Sequence, residues 1–230
     1  LRGSDQDDCT IGIIENLTKG INPYHYISYN GNTCAQGPGT ILIFLPFVVF
    51  KKYIFGHIFY LLLLLLVLKK FNNTYDFKRF TFLFFSSVIL WEMFAVGSDL
   101  YVSSIFLCTA IILLNEAIIK NNLSLLVISA VMIGIFSITR INFIFIPFAI
   151  SILLLTNWKN EAILFGITSI STTLIPIILL FLFNNHFISI NSLHDYSFIF
   201  IHASNLEGTR IFHNLYGLIS TLIIFIFFFL

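Results

Sequence analysis

The sequence predicts an all-α protein, a polytopic bundle of transmembrane helices, and three observations carry that expectation. Hydrophobic residues make up 58% of the 230-residue chain and charged ones only 10%. Mean hydropathy is +0.95, and apolar runs rich in Phe, of which there are 28, recur to the last residue. A soluble domain carries about 25% charged residues and spaces its apolar positions for one buried face. Backbone groups in lipid must be satisfied internally, and these runs lack the alternation of barrel strands, so they are read as helices. The net charge of +1 and the scattered Lys and Arg leave no basic stripe for a phosphodiester backbone, which excludes nucleic acid as an expected partner.

The elements follow from run length. Crossing about 30 Å of hydrocarbon takes roughly 20 apolar residues. Runs near 53–68, 80–97, 100–118, 123–139, 141–156 and 161–183, with another from 214 to the end, give about seven expected spans. The segment Thr40–Phe50 is apolar but covers only about 17 Å as a helix, so it is expected to lie at the membrane surface or re-enter rather than cross. Pro46 inside it removes a hydrogen bond and bends it. Residues 1–52 are therefore expected to form an external loop with a juxtamembrane helix at about 40–50. Residues 53–230 form the membrane domain, with an external loop at 184–213. A start at Leu1, an end inside an apolar run and a polar, acidic beginning without signal-peptide character predict a fragment lacking elements at both ends.

Loop charges set the orientation. With alternating spans, Lys69, Lys70, Lys78, Arg79, Lys120 and Lys159 share one face, against Lys51, Lys52, Arg140 and Arg210 on the other. The positive-inside rule puts the first set in the cytoplasm. Polar chemistry then gathers on the extracytoplasmic face, and ionisable groups near spans mark sites.

The densest group there is Asp5, Asp7 and Asp8. Closely spaced carboxylates favour proton acceptance by one of their number and can share a divalent cation such as Mg or Mn through oxygen ligands. A hydrated loop end is the competing reading. Glu92 and Asp99 bracket a turn at Gly97–Ser98, where Asp99 also suits the start of a helix. Arg140 interrupts an apolar stretch; a snorkelling arginine would look the same, but a guanidinium opposite the acidic region also suits bidentate phosphate binding. His186, His194, Asp195, His202, Glu207, Arg210 and His213 lack zinc-site spacing. His25 and His57, in aromatic surroundings, read as packing residues. Cys9 and Cys34 share the first loop, where an oxidising compartment would allow a disulfide, and Cys108 falls in a span.

In order, Asp5, Gly20-Ile-Asn-Pro-Tyr24, Gly37-Pro-Gly39, a short proline-bearing helix, Gly97-Ser-Asp99, Arg140-Ile-Asn142-Phe and Pro147 resemble the polytopic glycosyltransferases of the GT-C class. The likeness is to the bacterial branch that uses polyprenyl-phosphate mannose. It implies an enzyme of the cytoplasmic membrane that takes a polyprenyl-phosphate sugar donor from the lipid bilayer and glycosylates a glycan or lipid acceptor outside. Asp5 would be the general base, with Asp7 or Asp8 as substitutes. Arg140 would neutralise the departing phosphate. Glu92, Asp99, Asn22, Tyr24 and Asn142 would line the substrate site. A flippase for lipid-linked glycans, or a polymerase or ligase of such glycans, would use similar external acids and compete with this reading.

Overall fold

A computed structural model describes residues 5–31, 34, 36–71, 74–140 and 143–185. They fold as helices: α1 (Asp5–Thr18), a 3-10 turn (Pro23–His25), α2 (Pro38–Val49), α3 (Tyr53–Phe71), α4 (Thr74–Phe85), α5 (Val88–Ala95), α6 (Asp99–Ile119), α7 (Leu123–Ser137), α8 (Ile146–Leu155) and α9 (Lys159–Asn185). The all-helical class holds. Among the described residues three helices, α3, α6 and α9, are long and apolar enough to cross a membrane. The expected spans at 123–139 and 141–156 are the shorter apolar helices α7, with 15 residues, and α8, with 10.

Two expectations give way. Residues 5–18 form a helix instead of part of a loop. Its first turn carries Asp5, Asp7 and Asp8, where the partial positive charge of a helix N-terminus favours carboxylates by about 0.3–1 kcal/mol each. Its inner face, Cys9, Gly12 and Ile13 at i, i+3 and i+4 spacing together with Ile14, is buried. The acids thus have a structural reason to be where they are. The run at 80–97 is split into α4 and α5. Ser86 turns its hydroxyl back to the Phe82 carbonyl, and Ser87 caps α5 by accepting from the Leu90 amide, so the serine pair ends one helix and starts the next. The expected loop at 184–213 and the run from 214 lie outside the described residues, apart from the last turn of α9.

The two ends of the bundle are set by three helices. Tyr53, opening α3, donates its hydroxyl to the Gly97 carbonyl just before α6, while at the other ends of α3 and α6 the Lys70 and Lys120 ammoniums both lie over the Phe71 ring. The helices α3 and α6 therefore run the same way, and α7 returns antiparallel along α6. Lys70 and Lys120 share an end, as the loop charges require. Helix α7 packs on α9 through small residues: a methyl on Gly134 would strike Thr172, and the Ser137 and Thr173 hydroxyls lie 2.9 Å apart. Close approach of this kind is how helices associate where lipid removes the hydrophobic drive.

The short helix α2 begins where α7 ends. Gly37 donates its amide to the Thr139 carbonyl at 2.8 Å and Gly39 to the Ile138 carbonyl at 3.0 Å, so orphan amides of one terminus meet orphan carbonyls of the other. A Cβ on either glycine would collide with those carbonyls or with that of Ile135. Pro38 takes the first helical position, which starts α2 two residues before the expected 40. The helix continues through Pro46, then reverses through Lys51, in the left-handed conformation at φ 55°, to pack on α3. Tyr60 seals that hairpin by donating to the Ile43 carbonyl.

Candidate functional site

At the end of the bundle where α3 and α6 start and α7 stops, four pieces of chain converge. The Gly97–Ser98–Asp99 turn is the centre, with Gly97 at φ 70°, a conformation that suits glycine. The Asp99 side chain is 1% exposed and accepts two hydrogen bonds, at 3.2 and 2.9 Å, from one nitrogen of Arg140, Nη2. Arg140 reaches it from the end of α7, 41 residues on, and is itself 25% exposed. Its Nε is buried without a hydrogen bond to a described residue. The carboxylate thus orients the guanidinium through one nitrogen.

Helix α1 comes to the same turn. Ser98 donates its hydroxyl to Gln6 Oε1 at 2.7 Å. The Asp7 side chain lies against Gly97, whose added methyl would come within 3.4 Å of Asp7 Cβ and 3.5 Å of the Tyr53 ring. Asp5 is half-buried at the first residue of the helix. Asp8 has a different employment: its two carboxylate oxygens accept from the Tyr26 hydroxyl at 3.0 Å and the Tyr29 amide at 2.9 Å. It ties the returning loop to α1, and the Tyr26 ring packs where Gly12 leaves room.

That loop is built by Asn22, which caps the 3-10 turn by accepting from the Tyr24 amide at 3.0 Å and contacts His25. Asn22 and half-buried Tyr24 accordingly shape the chain next to the acids. Glu92 does not join the group: it stands exposed on α5 with no side-chain hydrogen bond or ion pair to a described residue. Asn142 lies outside the described residues, as do His186, His194, Asp195, His202, Glu207, Arg210 and His213.

Sequence reasoning missed Gln6, Ser98, Gln36 and Tyr53 as parts of this end of the bundle. Gln36 is buried and donates to the Gln6 carbonyl at 3.2 Å, and Tyr53 stacks on Phe44 with centroids 4.9 Å apart. Gln6 could have been noticed as the neutral residue set among three acids; Tyr53 gave no signal beyond its aromatic surroundings. His57 sits beneath the turn, fully buried and ringed by Phe44, Tyr53, Phe94 and Tyr101, in keeping with a packing histidine.

Cys9 and Cys34 form a disulfide with Cα atoms 5.4 Å apart. A cross-link closing a loop of that sequence separation, 25, stabilises by about 3 kcal/mol in the loop-entropy account. Cys108 faces outward from α6 as a thiol. Among the described residues no three His, Cys, Asp or Glu side chains come together as a metal ligand set, and the two bonds to Asp8 compete with any ligation through all three acids.

Comparison with protein-family models, curated proteins and solved structures gives no match to this chain. The reading of the site rests on its residues and their geometry.

Proposed function

We propose that this chain is a multi-pass membrane glycosyltransferase that moves a sugar from a polyprenyl-phosphate donor to an acceptor hydroxyl on the outer face of a bacterial cytoplasmic membrane. One observation carries the reading: the acid-bearing start of α1 and an arginine oriented by a buried aspartate meet at a single turn, at one end of an apolar bundle. Transfer from a lipid phosphate needs a proton acceptor near the attacking oxygen and a cation near the departing one, and these are the two groups present.

In this mechanism Asp5 or Asp7 takes the proton of the acceptor hydroxyl as its oxygen bonds to the anomeric carbon. The bond from that carbon to the phosphate oxygen breaks, and the electron pair leaves with the polyprenyl phosphate. Arg140, held through Nη2 by Asp99, supplies the positive charge that stabilises the charge developing there. Asp8 is the weakest candidate for the base, because both its oxygens already accept hydrogen bonds. No step is routed through a metal. The disulfide supports the outward orientation, since such bonds persist in oxidising compartments.

The test is transfer from a radiolabelled polyprenyl-phosphate hexose by purified protein carrying Asp5→Asn or Asp7→Asn. Loss of at least about 100-fold in one of the two, with the disulfide intact, identifies the base. Full turnover in both variants would remove Asp5 and Asp7 from the chemistry.

A further inference from the structure

We propose that the Cys9–Cys34 disulfide is a redox latch on this site: closed, it holds the carboxylates of α1 against the Gly97–Asp99 turn, and reduction releases α1 from that turn while the bundle stays folded. The consequence for turnover rests on the transfer reading above; the structural release does not.

The placement of the bond argues for a local role. Cys9 follows Asp7 and Asp8 directly and is 4% exposed; Cys34 is 8% exposed and lies two residues before Gln36. Gln36 bonds the Gln6 carbonyl, and the next residue, Gly37, bonds the Thr139 carbonyl beside Arg140. Cys34 therefore ties this part of the chain covalently to the acid helix, and Gly37 ties it by hydrogen bond to Thr139, the residue before Arg140. The further ties of the helix start include the hydrogen bond from Ser98 to Gln6 and contacts of the Asp7 side chain with the turn. Ser98 is buried and Gln6 and Asp7 are half-buried, so these ties add to the covalent one.

Both cysteines sit in the buried core cluster with Ile13, Ile41 and Phe44, yet contacts elsewhere in the bundle are made without them. The contact of the Phe47 and Tyr60 rings between α2 and α3, the Tyr60 seal, and the Ser137–Thr173 contact between α7 and α9 involve neither cysteine. Opening needs an external dithiol: it gives two electrons and two protons to the bond, Cys9 and Cys34 become thiols, and the dithiol becomes its own disulfide.

The experiment compares the full chain in nanodiscs, oxidised against reduced and alkylated, by hydrogen exchange, with the double variant Cys9→Ser, Cys34→Ser as a permanently open form. A closed latch predicts no alkylation of Cys9 or Cys34 before reduction. After it, exchange of the α1 amides should rise at least tenfold with α6 and α7 unchanged. The double variant should match the reduced protein. Transfer should fall at least tenfold, mainly in kcat, and return on reoxidation. Unchanged exchange in α1, a rise shared equally by α6 and α7, or thiols that alkylate without reductant would each overturn the latch. Absence of transfer in both redox states, with the exchange pattern as expected, would sink the transfer reading alone.

Discussion

Helix α6 carries an acid near each end, and the two are held in opposite ways. At its start Asp99 is buried and binds an arginine from another helix, 41 residues away. Near its end Glu116 pairs at 2.7 Å with Lys120 one turn on, with Lys120 54% exposed. The second pair is local, with Glu116 buried but its lysine in water, and pairs at this helical spacing contribute about 0.3–0.5 kcal/mol. The first must offset the desolvation of a carboxylate, which repays itself only where a fixed geometry is needed. Stability alone would be served as well by apolar residues of similar volume, so the Asp99–Arg140 pair points to a function that the Glu116–Lys120 pair does not share.

The sharpest way to break this contrast is Asp99→Ala. It leaves Arg140 partly buried without its Asp99 partner and should destabilise by about 3–5 kcal/mol, read as a lower midpoint in denaturant titration of the detergent-solubilised protein. A loss no greater than that of a surface pair would erase the distinction between the two ends. Next in size is Gly39→Ala, whose methyl would strike the Ile135 carbonyl and push α2 off the end of α7. The expected cost is about 1–3 kcal/mol, with faster hydrogen exchange at the α2 amides; an unchanged exchange rate there would mean that the two termini are not interlocked. The smallest effect belongs to Glu116→Gln, which should move stability by less than about 1 kcal/mol and diminish with added salt. A larger, salt-independent loss would show that the Lys120 end is also built for a task.

How much of this could be read in the chain depended on the range of the interaction. The 11-residue run Thr40–Phe50 announced a helix too short to cross, because length is a local property. Asp99, Arg140, Cys9 and Cys34 were legible as candidates by residue type. That Asp99 and Arg140 touch was not, because which helix ends abut depends on packing across 41 residues. Helix α1 was hidden behind its acids: they read as a catalytic group in an external loop, although Cys9, Gly12, Ile13 and Leu17 already carried helical spacing. The break at Ser86–Ser87 was hidden by the apolar run around it, in which two hydroxyls were enough to cap and terminate.

The central claim is that the carboxylates of α1 and the guanidinium of Arg140 act on one substrate. A double-mutant cycle on kcat/KM for transfer from a polyprenyl-phosphate sugar tests it, pairing the α1 aspartate whose Asn variant loses transfer with Arg140→Lys. Groups that act on the attacking and the departing oxygen of one anomeric carbon are strongly non-additive, so the double variant should lose little more than the worse single one, an interaction of about 1–3 kcal/mol. Losses that simply add, or transfer that ignores Arg140 altogether, would contradict a shared site.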